Sequence, residues 1–207
     1  MRRFPLIALV LAPLAFANPA DASVSIAVSF EKLVENTRVV GVFTPLEQKS
    51  VWEDNRIVTY TRCRSEEIVA GSLKVGDETW VATLGGRVGD VASTVDGEAS
   101  LKIGRPTFLF LHDDIAPKDV KAVAGIYIVT ARAQGQYRIE LDQKKARHLL
   151  PASALGALLA PKPIVGPLSP TTLANKVRLA QDAIATKTIE EAANEIRVVW
   201  KQTHGDH

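Results

Sequence analysis

Residues 50–71 read SVWEDNRIVTYTRCRSEEIVAG and predict one unusually long β-strand. The part from Arg56 to Val69 contains neither glycine nor proline and is rich in β-branched and aromatic residues, which favour strands. Its fourteen residues at about 3.3 Å each would span roughly 46 Å, far more than an ordinary strand of about five or six residues. Such a strand has to coil or carry a bulge, as strands of small, highly curved barrels do. We predict the bulge near Ser65–Glu67, where the polar alternation gives way to an apolar pattern.

Successive side chains of a strand point to opposite faces, so this strand divides into two sets. One set is small and suits a buried face: Thr59, Thr61, Cys63 and Ser65. The other set is aromatic or charged and, with Trp52 at the start of the strand, forms the candidate binding site: Tyr60, Arg62, Arg64 and Glu66. Tyr, Trp and Arg are common anchors of protein interfaces, which favours a binding surface. The alternative is a solvated sheet face whose charged residues pair across strands.

The rest of residues 23–150 predicts a mainly β domain. Ser29 is suited to cap a short helix with one apolar face. The other predicted strands are Arg38–Phe43, Thr79–Leu84, Thr107–His112, and a hairpin of Tyr127–Arg132 with Gln136–Leu141. Gly41 inside the first of them marks a bulge or a close backbone approach, and the apolar run 107–112 indicates a strand buried on both faces. These elements indicate a small antiparallel OB-like barrel.

The character of the sequence changes after residue 150. Five of the eleven prolines lie between 151 and 170, so residues 151–169 are expected to form a proline-rich strap or linker without regular structure. Ser169 and Pro170 begin a predicted helical segment over 170–201, within which Thr188 and Glu191 form a capping box. Residues 202–207 form a polar tail. The predicted fold class is therefore mainly β, α+β in total, with a C-terminal helical segment packed on the barrel.

The N-terminal residues MRRFPLIALVLAPLAFANPADA have the pattern of a secretory signal peptide. Arg2 and Arg3 precede an apolar stretch of about a dozen residues, which is shorter than the roughly 20 needed to span a bilayer. Residues 20–22 form a small-x-small cleavage site, and residues 15–17 form a second one. We therefore expect residues 1–22 to be removed and the chain to begin near Ser23. The protein is then exported, periplasmic or secreted, and does not span a membrane.

Composition and spacing argue against several classes of chemistry. The formal net charge is +2 and falls to about +1 without residues 1–22, so we expect no nucleic-acid partner. The single cysteine, Cys63, cannot form an internal disulfide or a thiolate cluster, and we expect it to be buried. The histidines lack metal-ligand spacing, and the neighbours Glu66 and Glu67 point to opposite faces of a strand. We therefore assign no catalytic residue, no metal ligand and no cofactor.

Four segments resemble an uncharacterised family of exported bacterial β-barrel proteins. They are VVGVFTPLEQKSVWEDNRIVTYTRCRSEEIVAG, WVATLGGRVGD, VDGEASLKIGRPTFLFL and GQYRIEL, within about residues 29–141. The resemblance implies an exported barrel and brings no established activity or catalytic residue. A looser likeness is to the netrin-like module of metalloproteinase inhibitors, an OB-type barrel in which a valine- and glycine-bearing strand also leads to a long strand ending in glycine. This likeness implies a small closed barrel.

These observations favour an exported, non-enzymatic binding or accessory module whose partner is an envelope or extracellular protein. Two alternatives stay open. An extracytoplasmic enzyme of hydrolase type would need His, Asp and Ser side chains that converge in a pocket. A protease-inhibitor-like domain would need an ordered and exposed N-terminus near Ser23, beside the rim of the barrel.

Overall fold

The structure is a computed structural model that describes residues 24–113, 125–161 and 177–205. Its strands are β1 (Val24–Ile26), β2 (Val39–Glu53), β3 (Arg56–Gly71), β4 (Glu78–Leu84), β5 (Gly86–Val88), β6 (Val91–Ser93), β7 (Thr107–Asp113), β8 (Ile126–Val129), β9 (Gln136–Leu141), β10 (Arg147–Pro151) and β11 (Ala157–Leu159). Its helices are α1 (Phe30–Glu35), α2 (Ala180–Ile184) and α3 (Ile189–His204), with a short 3-10 helix at Arg132–Gly135. The protein is therefore mainly β with a C-terminal helical segment, which confirms the predicted fold class.

Five strands form a closed ring in the order β7-β2-β3-β4-β8, and β8 pairs back with β7. The pairings in the ring are antiparallel except that of β4 with β8, which is parallel. β9 pairs with the first residues of β7 and carries β10 on its other side, so these two strands extend the sheet beyond the ring. Because β3 and β4 are both paired on two sides, their outward side chains form one continuous face.

β2 and β3 form one long hairpin whose register shifts at three places. Glu66 is an extra residue on β3, which confirms the bulge predicted near Ser65–Glu67, and Leu46 is an extra residue on β2. Such bulges bend a strand and increase its twist, so the 16-residue β3 can follow the curve of the ring. Gly41 lies beside the first shift, where its backbone closely approaches that of Glu67, as the sequence predicts.

Apolar side chains form two main cores, one inside the ring and one between the ring and the helices. The inner core contains Val39, Phe43, Cys63, Val81, Leu109, Leu111, Tyr127 and Val129. The second core joins β2 and β7 to the three helices: Val40, Val42, Phe108, Phe110, Phe30, Leu33, Ile184 and Ile196. Residues 39–43 of β2 and 108–111 of β7 alternate between the two cores, so these parts of the two strands are buried on both faces. The prediction that residues 107–112 form a strand buried on both faces is thus confirmed.

The helix caps predicted from the sequence are present. The Ser29 hydroxyl accepts a hydrogen bond from the Lys32 backbone N–H at 3.2 Å and caps α1. At the start of α3, the Thr188 hydroxyl accepts from the Glu191 N–H at 3.2 Å, and the Glu191 carboxylate accepts from the Thr188 N–H at 2.9 Å. This reciprocal arrangement is the predicted capping box. From there α3 continues to His204, beyond the end predicted for it.

The hairpin predicted over residues 127–141 is wrong. β8 pairs with β4 and β7, whereas β9 pairs with β7 and β10, so β8 and β9 are not neighbours in the sheet. Between them, Ala131 and Arg132 both adopt a φ of 55°, in the left-handed region, and the chain continues into the 3-10 helix. β8 runs antiparallel to residues 111–113 of β7 and β9 runs antiparallel to residues 107–109, both on the edge of β7 away from β2. The connection therefore carries the chain onward along the same edge of β7 instead of folding it back on itself.

Two expectations for the C-terminal part also differ from the structure. The segment expected to lack regular structure contains β11, which pairs in parallel with β1. The Ala27 N–H extends this contact by donating to the Leu159 carbonyl oxygen at 2.8 Å. Val177, which falls within the helical segment predicted over 170–201, lies outside any helix and is exposed, because α2 begins only at Ala180.

Several predictions fall outside the described residues. They are the signal peptide over 1–22 with its cleavage sites, the strap residues 162–169, the helix start at Ser169 and Pro170, and the last two residues of the tail. Across the three described ranges, no helix is both long and apolar enough to cross a membrane.

Candidate functional site

The four predicted binding residues of β3 lie together on the outer face of the ring. Tyr60, Arg62 and Glu66 are partly exposed and Arg64 is exposed. The inward residues between them are each at most 9% exposed: Thr59, Thr61, Cys63 and Ser65. The alternation predicted from the sequence is therefore confirmed, and the aromatic and charged set faces outward.

Arg62 bridges three neighbouring strands. Its Nε donates to Glu47 Oε1 on β2 at 2.9 Å, and its Nη1 donates to Glu78 Oε2 on β4 at 2.5 Å. These hydrogen bonds raise the pKa of Arg62, with the bond to Glu47 as the larger cause. The guanidinium charge is thus matched within the sheet, and removing Arg62 would leave two carboxylates without their cation.

The other polar residues of this face also have partners. Arg64 Nη2 donates to Glu66 Oε1 at 2.9 Å, and this hydrogen bond lowers the pKa of Glu66. The Tyr60 hydroxyl donates to the Glu53 carboxylate, with distances of 2.8 and 2.9 Å to its two oxygens. Exposed ion pairs contribute only about 0–1 kcal/mol each. The charge on β3 is therefore matched by neighbouring side chains, and the charged set does not by itself call for a ligand.

Trp52 lies on the opposite face of the hairpin. It pairs in register with Ile57, and directly opposed residues of an antiparallel pair share a face. Tyr60 is three residues further along β3 than Ile57, so it points to the other face. The structure thus brings the four β3 residues together and separates Trp52 from them.

Trp52 forms one wall of a small apolar groove, which we call the tryptophan groove. The groove has a volume of about 320 Å³, and 53% of Trp52 is exposed beside it. Asn55, Arg56 and Ser93 supply a polar margin. The tryptophan groove is defined by its apolar lining: Trp52, Ile57, Leu84, Val91 and Val95.

Two turns shape the tryptophan groove. Asp54 and Asn55, with φ values of 45° and 60°, form the tight two-residue turn that joins β2 to β3. The β5–β6 hairpin begins at Gly86, where an added Cβ atom would lie 2.1 Å from the Thr59 hydroxyl oxygen. That hydroxyl donates to the Gly85 carbonyl oxygen at 2.6 Å. Close backbone approach and this hydrogen bond hold the second hairpin beside the first.

An apolar cluster on the outer face, which we call the outer patch, was not predicted as a site. It combines residues of β3, β4 and β8: Val58, Tyr60, Trp80, Ala82, Leu84, Ile126 and Ile128. The alternation of apolar residues in 79–84 signals the contribution of β4, but the contribution of β8 depends on the parallel pairing that the hairpin prediction missed. Leu84 belongs to the outer patch and also lines the tryptophan groove, so the two meet at this side chain. Three members of the outer patch are buried (Val58, Ala82 and Ile126), and the other four are partly exposed.

The side chains considered for catalysis are buried or form ion pairs with other residues. Cys63 is fully buried inside the ring, and burial raises its pKa to about 12. The thiol is therefore neutral and enclosed at physiological pH, which does not suit a nucleophile. Glu66 and Glu67 have different partners, Arg64 and Arg147 respectively, so they do not form a carboxylate pair.

The described histidines lie in separate places. His112 is near the end of β7, His148 contacts the Asp142 carboxylate from β10, and His204 stacks on the Trp200 ring with centroids 3.9 Å apart. Among the residues whose placement is described, no group of three or more His, Cys, Asp or Glu side chains is arranged to hold a metal ion.

The site has to be interpreted from its geometry. The resemblances to an exported bacterial β-barrel family and to the netrin-like module stay predictions. Comparison of this chain with protein families, with curated proteins and with solved structures finds no match.

Proposed function

We propose that this protein is an exported, non-enzymatic binding or accessory module, and that its partner is an envelope or extracellular protein. The observation that carries this proposal is the tryptophan groove, where 53% of Trp52 is exposed beside an apolar surface. Trp is among the residue types most enriched where protein interfaces gain most of their binding energy. Trp52 is therefore the anchor of the proposed interface.

The shape of the surface around Trp52 favours a protein as the binding partner over a small molecule. The tryptophan groove, at about 320 Å³, is at the small end of the roughly 300–1,000 Å³ range of small-molecule sites. At Leu84 it meets the outer patch, whose partly exposed side chains Tyr60, Trp80 and Ile128 add apolar area beside the groove. The ion-paired Arg62 borders the outer patch, because it pairs in register with Trp80. An apolar centre with a polar margin is the usual arrangement of a protein interface.

The position of the tryptophan groove in the ring matches the place where OB-type barrels bind their ligands. OB-type barrels bind ligands on the face of their second and third strands and with the loop between the first and second. In chain order, the corresponding parts of this ring are β3, β4 and the turn at Asp54–Asn55 beside Trp52. This is an analogy at the level of the fold, and it supports the location of the site and not the identity of the partner.

Two further observations support the export and the non-enzymatic role in this proposal. The signal-peptide pattern of residues 1–22 supports export. The burial of Cys63, together with its raised pKa, speaks against a thiol enzyme.

Replacing Trp52 with alanine should weaken partner capture by about tenfold or more, because truncating an interface anchor costs about 2 kcal/mol or more. The purified protein and the Trp52→Ala variant are compared as baits against envelope and culture fractions, and the captured proteins are quantified by mass spectrometry. The control is Leu141→Ala, which removes an apolar side chain that is even more exposed, at 66%, from β9, outside the proposed surface. Equal capture by all three proteins, with circular dichroism showing that each is folded, would contradict the proposal.

Trp52 is a cleaner target than the charged residues of β3. Arg62 holds Glu47 and Glu78 on the two neighbouring strands, so its replacement also disturbs the sheet. Trp52 is an uncharged side chain, 53% exposed, so its replacement removes one wall of the tryptophan groove without breaking an ion pair between strands.

A further inference from the structure

A second concave surface, which we call the cationic cleft, carries three cationic side chains. It has a volume of about 420 Å³ and shares no described lining residue with the tryptophan groove. Lys102 and Arg105 reach it from the segment that leads into β7, and Arg138 reaches it from β9. Arg138 pairs in register with Thr107, only two residues after Arg105, so the sheet brings both walls together.

A tight turn presents Lys102 and Arg105 to the cationic cleft. The Arg105 N–H donates to the Lys102 carbonyl oxygen at 3.0 Å, which closes the turn. Gly104 within it has a φ of 73°, a conformation that glycine adopts most readily. The Gly104 N–H donates to the Pro45 carbonyl oxygen at 2.8 Å and ties the turn to β2. The two cations are therefore held on an anchored turn.

A buried amide fixes the floor of the cationic cleft. Gln136 is only 4% exposed and exchanges two hydrogen bonds with the backbone of Ser100, donating to its carbonyl oxygen at 2.7 Å and accepting from its N–H at 2.8 Å. These bonds hold the segment that precedes Lys102 against β9. Both walls of the cleft, the segment before β7 and β9, are therefore held in place by hydrogen bonds.

The charges in the cationic cleft are only partly matched. Lys102 and Arg105 are exposed, and neither forms an ion pair with a residue in the described ranges. Arg138 donates from Nε to the Pro151 carbonyl oxygen and from Nη1 to Glu140 Oε1, each at 3.0 Å, which orients its guanidinium. With Glu140 as the one lining carboxylate among the described residues, the cleft has a surplus of two positive charges.

We propose that the cationic cleft binds a small organic anion with two or more oxyanion charges, either a phosphate ester or a polycarboxylate. Arginine donors bind phosphate and carboxylate groups in the same two-pronged way, and a ligand with two charges would match the surplus. The volume lies within the range of about 300–1,000 Å³ that small-molecule sites occupy. Pro106, Ile139 and Ala152 offer apolar contacts to the carbon skeleton of such a ligand.

Isothermal titration calorimetry of the purified protein with pyrophosphate, with citrate and with uncharged glucose tests this inference. We expect pyrophosphate, citrate or both to bind, with an affinity that falls as salt is added, and glucose not to bind. Binding of pyrophosphate alone assigns the cleft to phosphoryl groups, and binding of citrate alone assigns it to carboxylates. Failure of both anions to bind overturns the proposal.

Single-residue variants show whether the bound anion occupies the cleft. Arg105→Gln and Lys102→Gln should each weaken binding about tenfold, since each removes one charge-assisted contact. Arg87→Gln removes the same charge from the exposed β5–β6 hairpin and should leave the affinity unchanged. Trp52→Ala should also leave it unchanged, which separates this site from the protein-binding surface. Equal weakening by Arg87→Gln would show a general charge effect and overturn the proposal.

Discussion

Replacing Gly41 with alanine is expected to lower the free energy of unfolding by about 3 kcal/mol, at the upper end of the usual cost of overpacking. An added Cβ atom would lie 2.2 Å from the carbonyl oxygen of Glu67, and a backbone oxygen cannot move away as a flexible side chain does. The contact lies where β2 and β3 change register, so relieving it requires the bulged ladder to shift. Chemical denaturation of the purified variant measures the change.

The matched control is Gly76→Ala. Gly76 has a φ of 92°, and no atom of the described residues lies within 4 Å of an added Cβ atom, so alanine there adds backbone strain of about 1 kcal/mol without a clash. If Gly41→Ala costs no more than Gly76→Ala, the close approach of β2 to the β3 bulge is contradicted.

Replacing Phe110 with alanine is expected to lower the free energy of unfolding by about 3–5 kcal/mol, the usual cost of removing a buried aromatic ring. Phe110 is fully buried between the ring and the helices. Its ring packs edge-on against those of Phe108 and Tyr137, with centroid distances of 5.7 and 6.1 Å. Thermal and chemical unfolding, followed by near- and far-ultraviolet circular dichroism, measure the loss.

The same experiment tests whether the ring and the helices unfold together. Because Phe110 belongs to the core they share, the loss should appear as one transition shifted to lower temperature, with both spectral regions changing together. Val198→Ala, on the exposed side of α3, should change stability by less than about 0.5 kcal/mol. A separate early transition of the helices, with the ring unaffected by Phe110→Ala, would contradict a shared core.

Local patterns predicted the parts of the fold that depend on nearby residues. The unusual length of β3, its alternation and its bulge follow from the run Arg56–Val69, which has neither glycine nor proline and changes phase near Ser65; the strand itself extends two residues further, to Gly71. The capping box at Thr188 and Glu191 follows from residues three apart. In these cases the interactions that decide the structure lie within one segment, so the sequence displays them directly.

Pairings between distant segments could not be predicted in the same way. The turn predicted at residues 133–135 indicated a change of direction, but these residues carried no information about which strand would lie beside β8. Its parallel partner, β4, is more than 40 residues earlier in the chain, with Trp80 paired to Ile126. Closure of the ring selects this partner, and closure is a property of the whole sheet.

The candidate site also depends on pairings between distant segments, which the sequence did not reveal. The sequence places Tyr60 and Arg62 on one face, but the partners of Arg62 are Glu47 and Glu78, whose positions depend on the register of two other pairings. The register also separates Trp52 from the β3 set. The tryptophan groove was missed because its walls come from four strands and the connections between them.

Photo-cross-linking from position 52 tests most directly whether a partner binds at the tryptophan groove. A photoreactive phenylalanine analogue replaces Trp52 in one variant and Leu141 in another, and both are irradiated in cells that express the full-length protein. We predict a covalent adduct with one envelope or extracellular protein from position 52 and none from position 141. The absence of an adduct at position 52, or the same adduct in equal yield from position 141, would contradict the proposed binding surface.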